Sequence, residues 1–150
     1  MTAIFKHGYN ATFANGVEES YWGGSVIYPW SAWATPGTLS VVSSNAGDTG
    51  SVIITGLDSS FEILEETVAM NGTTPVVTTG TFARINNMYY NTSGSSNAGN
   101  VTASLGATVV GYITAGFGSA QMAQYTVPAG YTAYMVEGAI TSGQIGRAHV

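Results

Sequence analysis

Apolar and polar side chains alternate most clearly in two stretches near the middle of the chain. From Leu64 to Met70, and again from Phe82 to Met88, the alternation has a period of two residues. This period predicts half-buried β-strands, because successive side chains of a strand point to opposite faces. Asn71-Gly72 follows the first stretch and predicts a turn, since both residues tolerate positive φ.

The rest of the chain from Thr38 onward consists of shorter apolar runs that are separated by turn residues. No helix is predicted in this part of the chain, because glycine and β-branched residues, which have low helix propensity, are too dense. Short strands at this spacing predict an all-β fold over residues 38–144, an antiparallel β-sandwich of jelly-roll-like or immunoglobulin-like type. The further strands predicted are Leu39–Ser43, Ser51–Thr55, Val101–Leu105, Thr108–Thr114, Gln121–Val127 and Thr132–Ile140.

Residues 1–37 have weak periodicity and contain all three tryptophans. Pro29 and Pro36 interrupt any long element, so we expect a loop-rich arm with one short strand at Ser25–Tyr28. Its aromatic rings could close one end of the sandwich, anchor a neighbouring subunit or stack on the sugar rings of a glycan. The candidate residues are Trp22, Tyr28, Trp30 and Trp33.

Charge is scarce along the whole sequence. Charged residues make up 7% of the chain, the formal net charge is −5, and only three residues are Lys or Arg. Nucleic-acid binding is therefore excluded, since phosphates need basic partners. The chain has no cysteine, and no apolar run approaches the roughly 20 residues that span a bilayer. A neutral surface of Thr, Ser and Asn can be buried between subunits with little desolvation of charge.

Five of the eleven charged side chains lie between Gly56 and Met88. Arg84 is the only arginine before the last few residues, and we expect it to pair across the sheet with Glu66 or Glu65. An exposed ion pair of this kind contributes only about 0–1 kcal/mol. The role predicted for Glu66 and Arg84 is structural.

Catalytic and metal-binding patterns are missing from the sequence. His7 lies in an irregular stretch, and there is no Gly-x-Ser-x-Gly elbow, His pair or Asp-x-Asp-x-Asp-Gly loop. A carboxylate pair for glycoside hydrolysis could include Asp58, but nothing selects its partner. We expect Asp58 to cap a turn, and we predict no enzyme activity, metal or cofactor.

The last six residues, Ile145 to Val150, can be written back as ATC GGA AGA GCA CAC GTC. This spells a common short-read sequencing adapter, so we expect the natural protein to continue and the sandwich to be incomplete at its C-terminal end. An uncovered apolar edge or face near Thr132–Ile140 is a further expectation.

A set of short motifs occurs in a familiar order along the chain. It includes Gly8-Tyr9-Asn10, Glu18-Glu19-Ser-Tyr-Trp22-Gly-Gly24, Gly56-Leu-Asp58, Asn71-Gly-Thr-Thr74 and Tyr125-Thr-Val-Pro-Ala-Gly130. The ordered set resembles a group of structural proteins of marine tailed bacteriophages, up to about Ile140.

The resemblance implies a non-enzymatic virion component, assembled in the cytoplasm of the bacterial host. Such a component would be a head decoration or a neck or tail accessory, and its partners would be other virion proteins and further copies of itself. The alternative is a receptor- or glycan-binding module of a fibre, whose partner would be a host-surface glycan.

Overall fold

The computed structural model describes residues 3–10, 18–24, 27–91 and 96–139. This part of the chain contains one 3₁₀ helix, Trp30–Ala34, and seven β-strands. The strands are β1 (Leu39–Ser43), β2 (Ser51–Leu57), β3 (Ile63–Ala69), β4 (Val76–Val77), β5 (Arg84–Asn91), β6 (Val101–Leu105) and β7 (Thr108–Ile113). No helix among these residues is long and apolar enough to cross a membrane.

The strands form two sheets that pack against each other. One sheet has the order β4-β1-β6-β7 and the other the order β3-β2-β5, and every pairing is antiparallel. The predicted all-β antiparallel sandwich is therefore confirmed. The core lies between the sheets, where alternate residues of β1 and β2 are fully buried. Each large aliphatic side chain in such a core contributes about 1.5–3 kcal/mol.

Close approach of the two sheets depends on a glycine in β7. A Cβ atom on Gly111 would lie 2.2 Å from the Met88 sulfur and 3.3 Å from the Ala103 Cβ. Any larger residue would have to displace the buried Met88 side chain. Gly111 therefore sets how closely β5 and β7 pack.

Within the second sheet, β5 carries an irregularity opposite Gly56. Thr55 pairs with Asn87 and Gly56 pairs with Ile85, so Asn86 is an extra residue on β5. A Cβ atom on Gly56 would lie 2.0 Å from the Arg84 carbonyl oxygen. The β-bulge is therefore possible only with glycine at this position of β2.

Two predicted strands are wrong. Residues 121–127 are not a regular strand, because β5 offers them the side chain of Asn86 in place of a continuous row of backbone partners. Residues 132–139 are not a strand because they have no backbone partner in the described part of the chain. Ile140 and the proposed adapter residues 145–150 lie outside the described residues.

The other differences concern shorter elements. Ile27 and Tyr28 are not in a strand, and the preceding two residues of the predicted Ser25–Tyr28 strand lie outside the described part. β4 was not predicted, since an element of two residues is too short to show a period. β1 and β6 have the predicted boundaries, and those of β2, β3, β5 and β7 differ from the prediction by one to three residues.

Candidate functional site

Three of the four candidate aromatic residues near the start of the chain lie in the core. Trp22, Tyr28 and Trp33 are buried, whereas Trp30 keeps 48% of its surface exposed. The Trp22 and Tyr28 rings meet edge to face with their centroids 5.0 Å apart. Three of the four candidate rings therefore cover the sandwich core and are not free to stack on a sugar.

A buried polar network fixes Tyr28. Its hydroxyl donates to the Val110 carbonyl oxygen at 2.9 Å and accepts from the Trp33 indole N–H at 3.1 Å. Burial raises the pKa of Tyr28 to about 12, against smaller opposing effects of the Trp33 hydrogen bond and of Arg84. The phenol is a neutral structural link between the N-terminal region and β7.

Glu66 and Arg84 do not pair with each other as predicted. β2 lies between their strands in the sheet. The Glu66 carboxylate accepts hydrogen bonds from the backbone N–H groups of Thr79 and Gly80, both at 2.8 Å. It therefore fixes the connection that follows β4.

Arg84 binds main-chain and aromatic partners instead of a carboxylate. Its guanidinium donates to the carbonyl oxygens of Ala83, at 2.6 Å, and Trp33, at 3.4 Å. The guanidinium carbon also lies 5.6 Å from the centre of the Phe61 ring, a distance suited to a cation–π contact. Arg84 thus connects β5, the 3₁₀ helix and the turn after β2.

The remaining strand and turn carboxylates are likewise bound to their own loops. Asp58 Oδ1 accepts from the N–H groups of Ser60 at 2.8 Å and Glu62 at 3.0 Å, which is the predicted turn cap. The Glu65 carboxylate accepts from the Thr55 hydroxyl at 3.3 Å. No group of three or more His, Cys, Asp or Glu side chains among the described residues could hold a metal ion.

Asp48 is a structural centre that the sequence prediction missed. Its side chain is buried, with 3% of its surface exposed. The carboxylate accepts from the Ser43 hydroxyl at 2.5 Å and from the N–H groups of Ala98 at 2.8 Å and Gly99 at 2.9 Å. Burial raises the pKa of Asp48, but these hydrogen bonds outweigh burial and hold it below its ordinary value.

The sequence does contain a signal for this centre. The tetrapeptide Ser-Asn-Ala-Gly occurs at residues 44–47, directly before Asp48, and again at residues 96–99. The second copy supplies both N–H groups that bind the carboxylate. Two identical turns in one chain could therefore have suggested that they lie together.

A groove of the protein surface lies beside the β3-β2-β5 sheet. We call it the N-terminal groove; it lies between residues 4–7, the middle of β2 and residues 119–128, and its volume is about 380 Å³. Its apolar lining includes the exposed side chains of Ile4, Phe5 and Ile63. Its polar lining includes Lys6, His7 and Asn87.

One wall of the groove is attached to β5 through the bulge. Asn86 donates from its side-chain amide to the Thr126 carbonyl oxygen at 2.9 Å and accepts from the Thr126 N–H at 2.8 Å. The Ala120 N–H donates to the Met88 carbonyl oxygen at 2.8 Å. Together these bonds hold residues 119–128 along the edge of the sheet.

The opposite wall is formed by residues 4–7. The Tyr9 N–H donates to the Gln121 carbonyl oxygen at 3.2 Å, and His7 Nδ1 lies 2.6 Å from Gln121 Oε1. The Lys6 ammonium group donates to the Asn86 carbonyl oxygen, its one acceptor in the described part of the chain. Burial lowers the pKa of Lys6. The groove thus contains a Lys6 side chain that pairs with no carboxylate of the described residues.

Beyond the groove, the chain leaves the folded body. Residues 131–139, which we call the 131–139 segment, are all exposed. Tyr134, Met135 and Val136 keep 82%, 92% and 95% of their surfaces accessible. These side chains lie near Thr132–Ile140, where an uncovered apolar edge or face was expected, but residues 132–139 are not in a strand.

Comparisons with known proteins give no relative for this arrangement. No family model matches the sequence, and no curated protein or solved structure matches the chain.

Proposed function

We propose that the protein is a non-enzymatic structural component of a tailed-bacteriophage particle, and that it works by packing against neighbouring subunits. Its place would be a head decoration or an accessory of the neck or tail. The observation that carries this proposal is the 131–139 segment, which exposes a run of large apolar side chains.

Such exposure is unfavourable for an isolated protein. Burial of apolar surface contributes about 25 cal/mol per Å², and monomeric proteins rarely leave large contiguous apolar patches in water. Tyr134, Met135 and Val136 are consecutive and almost fully accessible. A neighbouring subunit that covers them would therefore gain binding free energy without any change in the sandwich.

The chemistry of the described residues also favours assembly over catalysis. Asp48, Asp58 and Glu66 each accept hydrogen bonds from the loops that they organise. A general acid or base needs a carboxylate that is free to reach a substrate. These carboxylates have structural partners, and they do not converge on the N-terminal groove.

Burial of the aromatic rings weakens the glycan-binding alternative. Trp22, Tyr28 and Trp33 lie in the core and have no face available to a sugar. Trp30 is the one candidate ring with a large accessible surface, and its ring centroid lies 4.8 Å from that of Tyr28. A glycan site at this position would rest on a single ring.

Two further properties support a phage particle as the setting. The ordered motifs resemble those of marine phage structural proteins, and the surface is rich in neutral Thr, Ser and Asn residues. Neutral surfaces lose little hydration energy when they are buried between many copies. Repetition of a weak contact over a particle then multiplies its affinity.

The experiment that tests this proposal is mass spectrometry of tailed-phage particles that are purified from a sample in which the gene is detected. The chain has three Lys and Arg residues in total, so chymotrypsin is the suitable protease. We expect abundant peptides from residues 56–88 in particles. Their amount relative to the main shell protein distinguishes a decoration protein, at near-equal copy number, from a tail accessory. Absence of these peptides from well-covered particles would refute the proposal.

A further inference from the structure

We propose that the 131–139 segment of one copy binds in the N-terminal groove of a second copy, where it pairs as a β-strand with residues 4–7. This inference deepens the proposed function, on which it rests for its biological setting, because it names the partner and the two surfaces that meet.

The 131–139 segment has the sequence of a strand but lacks a partner. Thr132, Tyr134 and Val136 are residues of high β-propensity that alternate along it. The segment contains no turn or bend, and in the described part of the chain only Tyr131 N–H, at its start, donates a backbone hydrogen bond. In a strand conformation, nine residues would reach about 30 Å. The segment can therefore act as a donated strand.

Residues 4–7 provide a matching acceptor. They too contain no turn or bend, and their backbone N–H and C=O groups make no backbone hydrogen bond within the described residues. Ile4 and Phe5 within this stretch, and Ile63 of β3, which also lines the groove, expose apolar side chains. Strand addition combines backbone hydrogen bonds with contacts between alternate side chains, and both are available here.

Charge favours the N-terminal groove over β3, an edge strand of the β3-β2-β5 sheet, as the surface that binds the 131–139 segment. Glu137 is the only charged residue of the 131–139 segment. β3, an edge strand, carries Glu65 and Glu66, which would repel it. The N-terminal groove carries Lys6, whose partly buried ammonium group donates to one carbonyl oxygen of the described residues. A carboxylate placed beside Lys6 would stabilise its charge.

The path of the chain favours a second copy over closure onto the same molecule. Pro128 lines the groove, and the Ala129 N–H donates to the Phe61 carbonyl oxygen at 2.8 Å. After the turn at residues 129–130, every residue of the segment is exposed and therefore points away from its own body. Each copy thus offers one segment and one groove. Such a heterologous contact builds rings or filaments.

The test measures self-association of the full 150-residue chain by analytical ultracentrifugation over a range of concentrations. We expect concentration-dependent oligomers. Glu137→Lys and Lys6→Glu should each weaken association about ten-fold or more, because each places like charges together. An equimolar mixture of the two variants should restore association, since each segment then finds a groove of opposite charge. A contact within one molecule cannot be restored by mixing.

Further variants keep the test valid if Lys6→Glu fails to fold. Val136 is almost fully exposed, so Val136→Ser should weaken association without altering the circular dichroism spectrum. Val77→Ser is the matched control, because Val77 is also an exposed valine but lies on β4. Equal effects of the two serine variants would overturn the proposal, as would association that Glu137→Lys leaves unchanged.

The outcomes separate this inference from the proposed function. A chain that stays monomeric at all concentrations but is abundant in particles refutes the pairing of copies and leaves the structural role intact. A chain that associates as expected but is absent from particles refutes the structural role alone. Hydrogen exchange that shows residues 131–139 equally protected at every concentration would indicate closure within one molecule and refute the inference.

Discussion

At the scale of single residues, polar side chains of this protein organise loops that are distant in sequence. Asp48 binds residues 98 and 99, and Glu66 binds residues 79 and 80. The chain has few charges, and three of its carboxylates, Asp48, Asp58 and Glu66, each accept from two backbone N–H groups. A charged acceptor of this kind contributes more than a neutral one, roughly 1.5–3 kcal/mol.

Replacement of Asp48 by asparagine should lower the free energy of unfolding by about 2 kcal/mol or more at pH 7. Both carboxylate oxygens of Asp48 accept hydrogen bonds, and an amide would turn an N–H donor toward one of those donors. Chemical denaturation of both proteins measures the difference. Asp58→Asn is the matched control, because Asp58 uses only Oδ1 for its two backbone bonds and asparagine keeps that oxygen. Equal losses in both variants would contradict the prediction.

Stability should also depend on pH through Asp48. Its pKa is lower in the folded state than its ordinary value, so its stabilising contribution is complete above the unfolded-state pKa of about 4. The contribution is lost as the pH falls through the folded-state pKa. Unfolding curves between pH 7 and pH 2 should therefore show a steeper acid decline for the native chain than for Asp48→Asn. Parallel declines would argue against this role.

The residues that sequence alone could not place are those whose partners come from a distant part of the chain. The Arg84–Glu66 prediction assumed that the strands on either side of the 71–81 connection are neighbours. In the sheet, β2 separates them. Asp58 was placed correctly, because its two partners lie within four residues of it. Local hydrogen bonding can be inferred from sequence, whereas the order of strands requires the whole fold.

At the scale of elements, regular alternation located β1, β2, β3 and β5 to within a few residues. Residues 121–127 show the limit of this rule. Their pattern is suited to a strand, but the bulge at Asn86 interrupts the edge that they would join. Residues 132–139 also have the pattern of a strand, but they form no backbone hydrogen bond with any strand in the described part of the chain. Propensity identifies a possible strand, and a partner decides whether it forms.

Substitution of Asn86 by alanine should release residues 119–128 from β5. Two hydrogen bonds with Thr126 would be lost. The partly buried backbone N–H and C=O groups of Thr126 would then need new partners, at a cost of about 1–3 kcal/mol. Hydrogen exchange should become faster in residues 119–128 and remain slow in β1 and β2. Asn87→Ala is the matched control, because the neighbouring Asn87 side chain makes no hydrogen bond in the described residues. Faster exchange in both variants would show that Asn86 is not the specific anchor.

At the scale of the whole molecule, a closed core contrasts with an open periphery. Tyr28, Trp33 and Phe82 are sealed between or beside the sheets, while Tyr131 and Tyr134 stand in solvent. The sequence predicted the sandwich because its strands are regular. It predicted an aromatic-rich arm for residues 1–37, and three of the four candidate rings of that arm, Trp22, Tyr28 and Trp33, complete the core. The sequence identified these rings as candidates for core, subunit or glycan contacts, but it could not show which of them are buried and which are exposed.

Limited digestion with chymotrypsin should measure this contrast directly. In dilute solution, cleavage after Tyr131 and Tyr134 should precede cleavage after Trp33 or Phe82, because buried sites are cut only after unfolding. Phe5, with 92% of its surface exposed, is the other site that should be cut early. Mass spectrometry of timed samples identifies the order.

Raising the protein concentration should slow the cuts at Tyr131, Tyr134 and Phe5 together, since the donated strand and its acceptor are buried in the same contact. Phe117, which is exposed but lies outside the N-terminal groove, serves as the internal control and should be cut at a constant rate. Protection of Tyr134 without protection of Phe5 would mean that the segment binds elsewhere. Resistance of Tyr134 equal to that of the buried Phe82 in dilute solution would mean that the segment packs on its own sandwich.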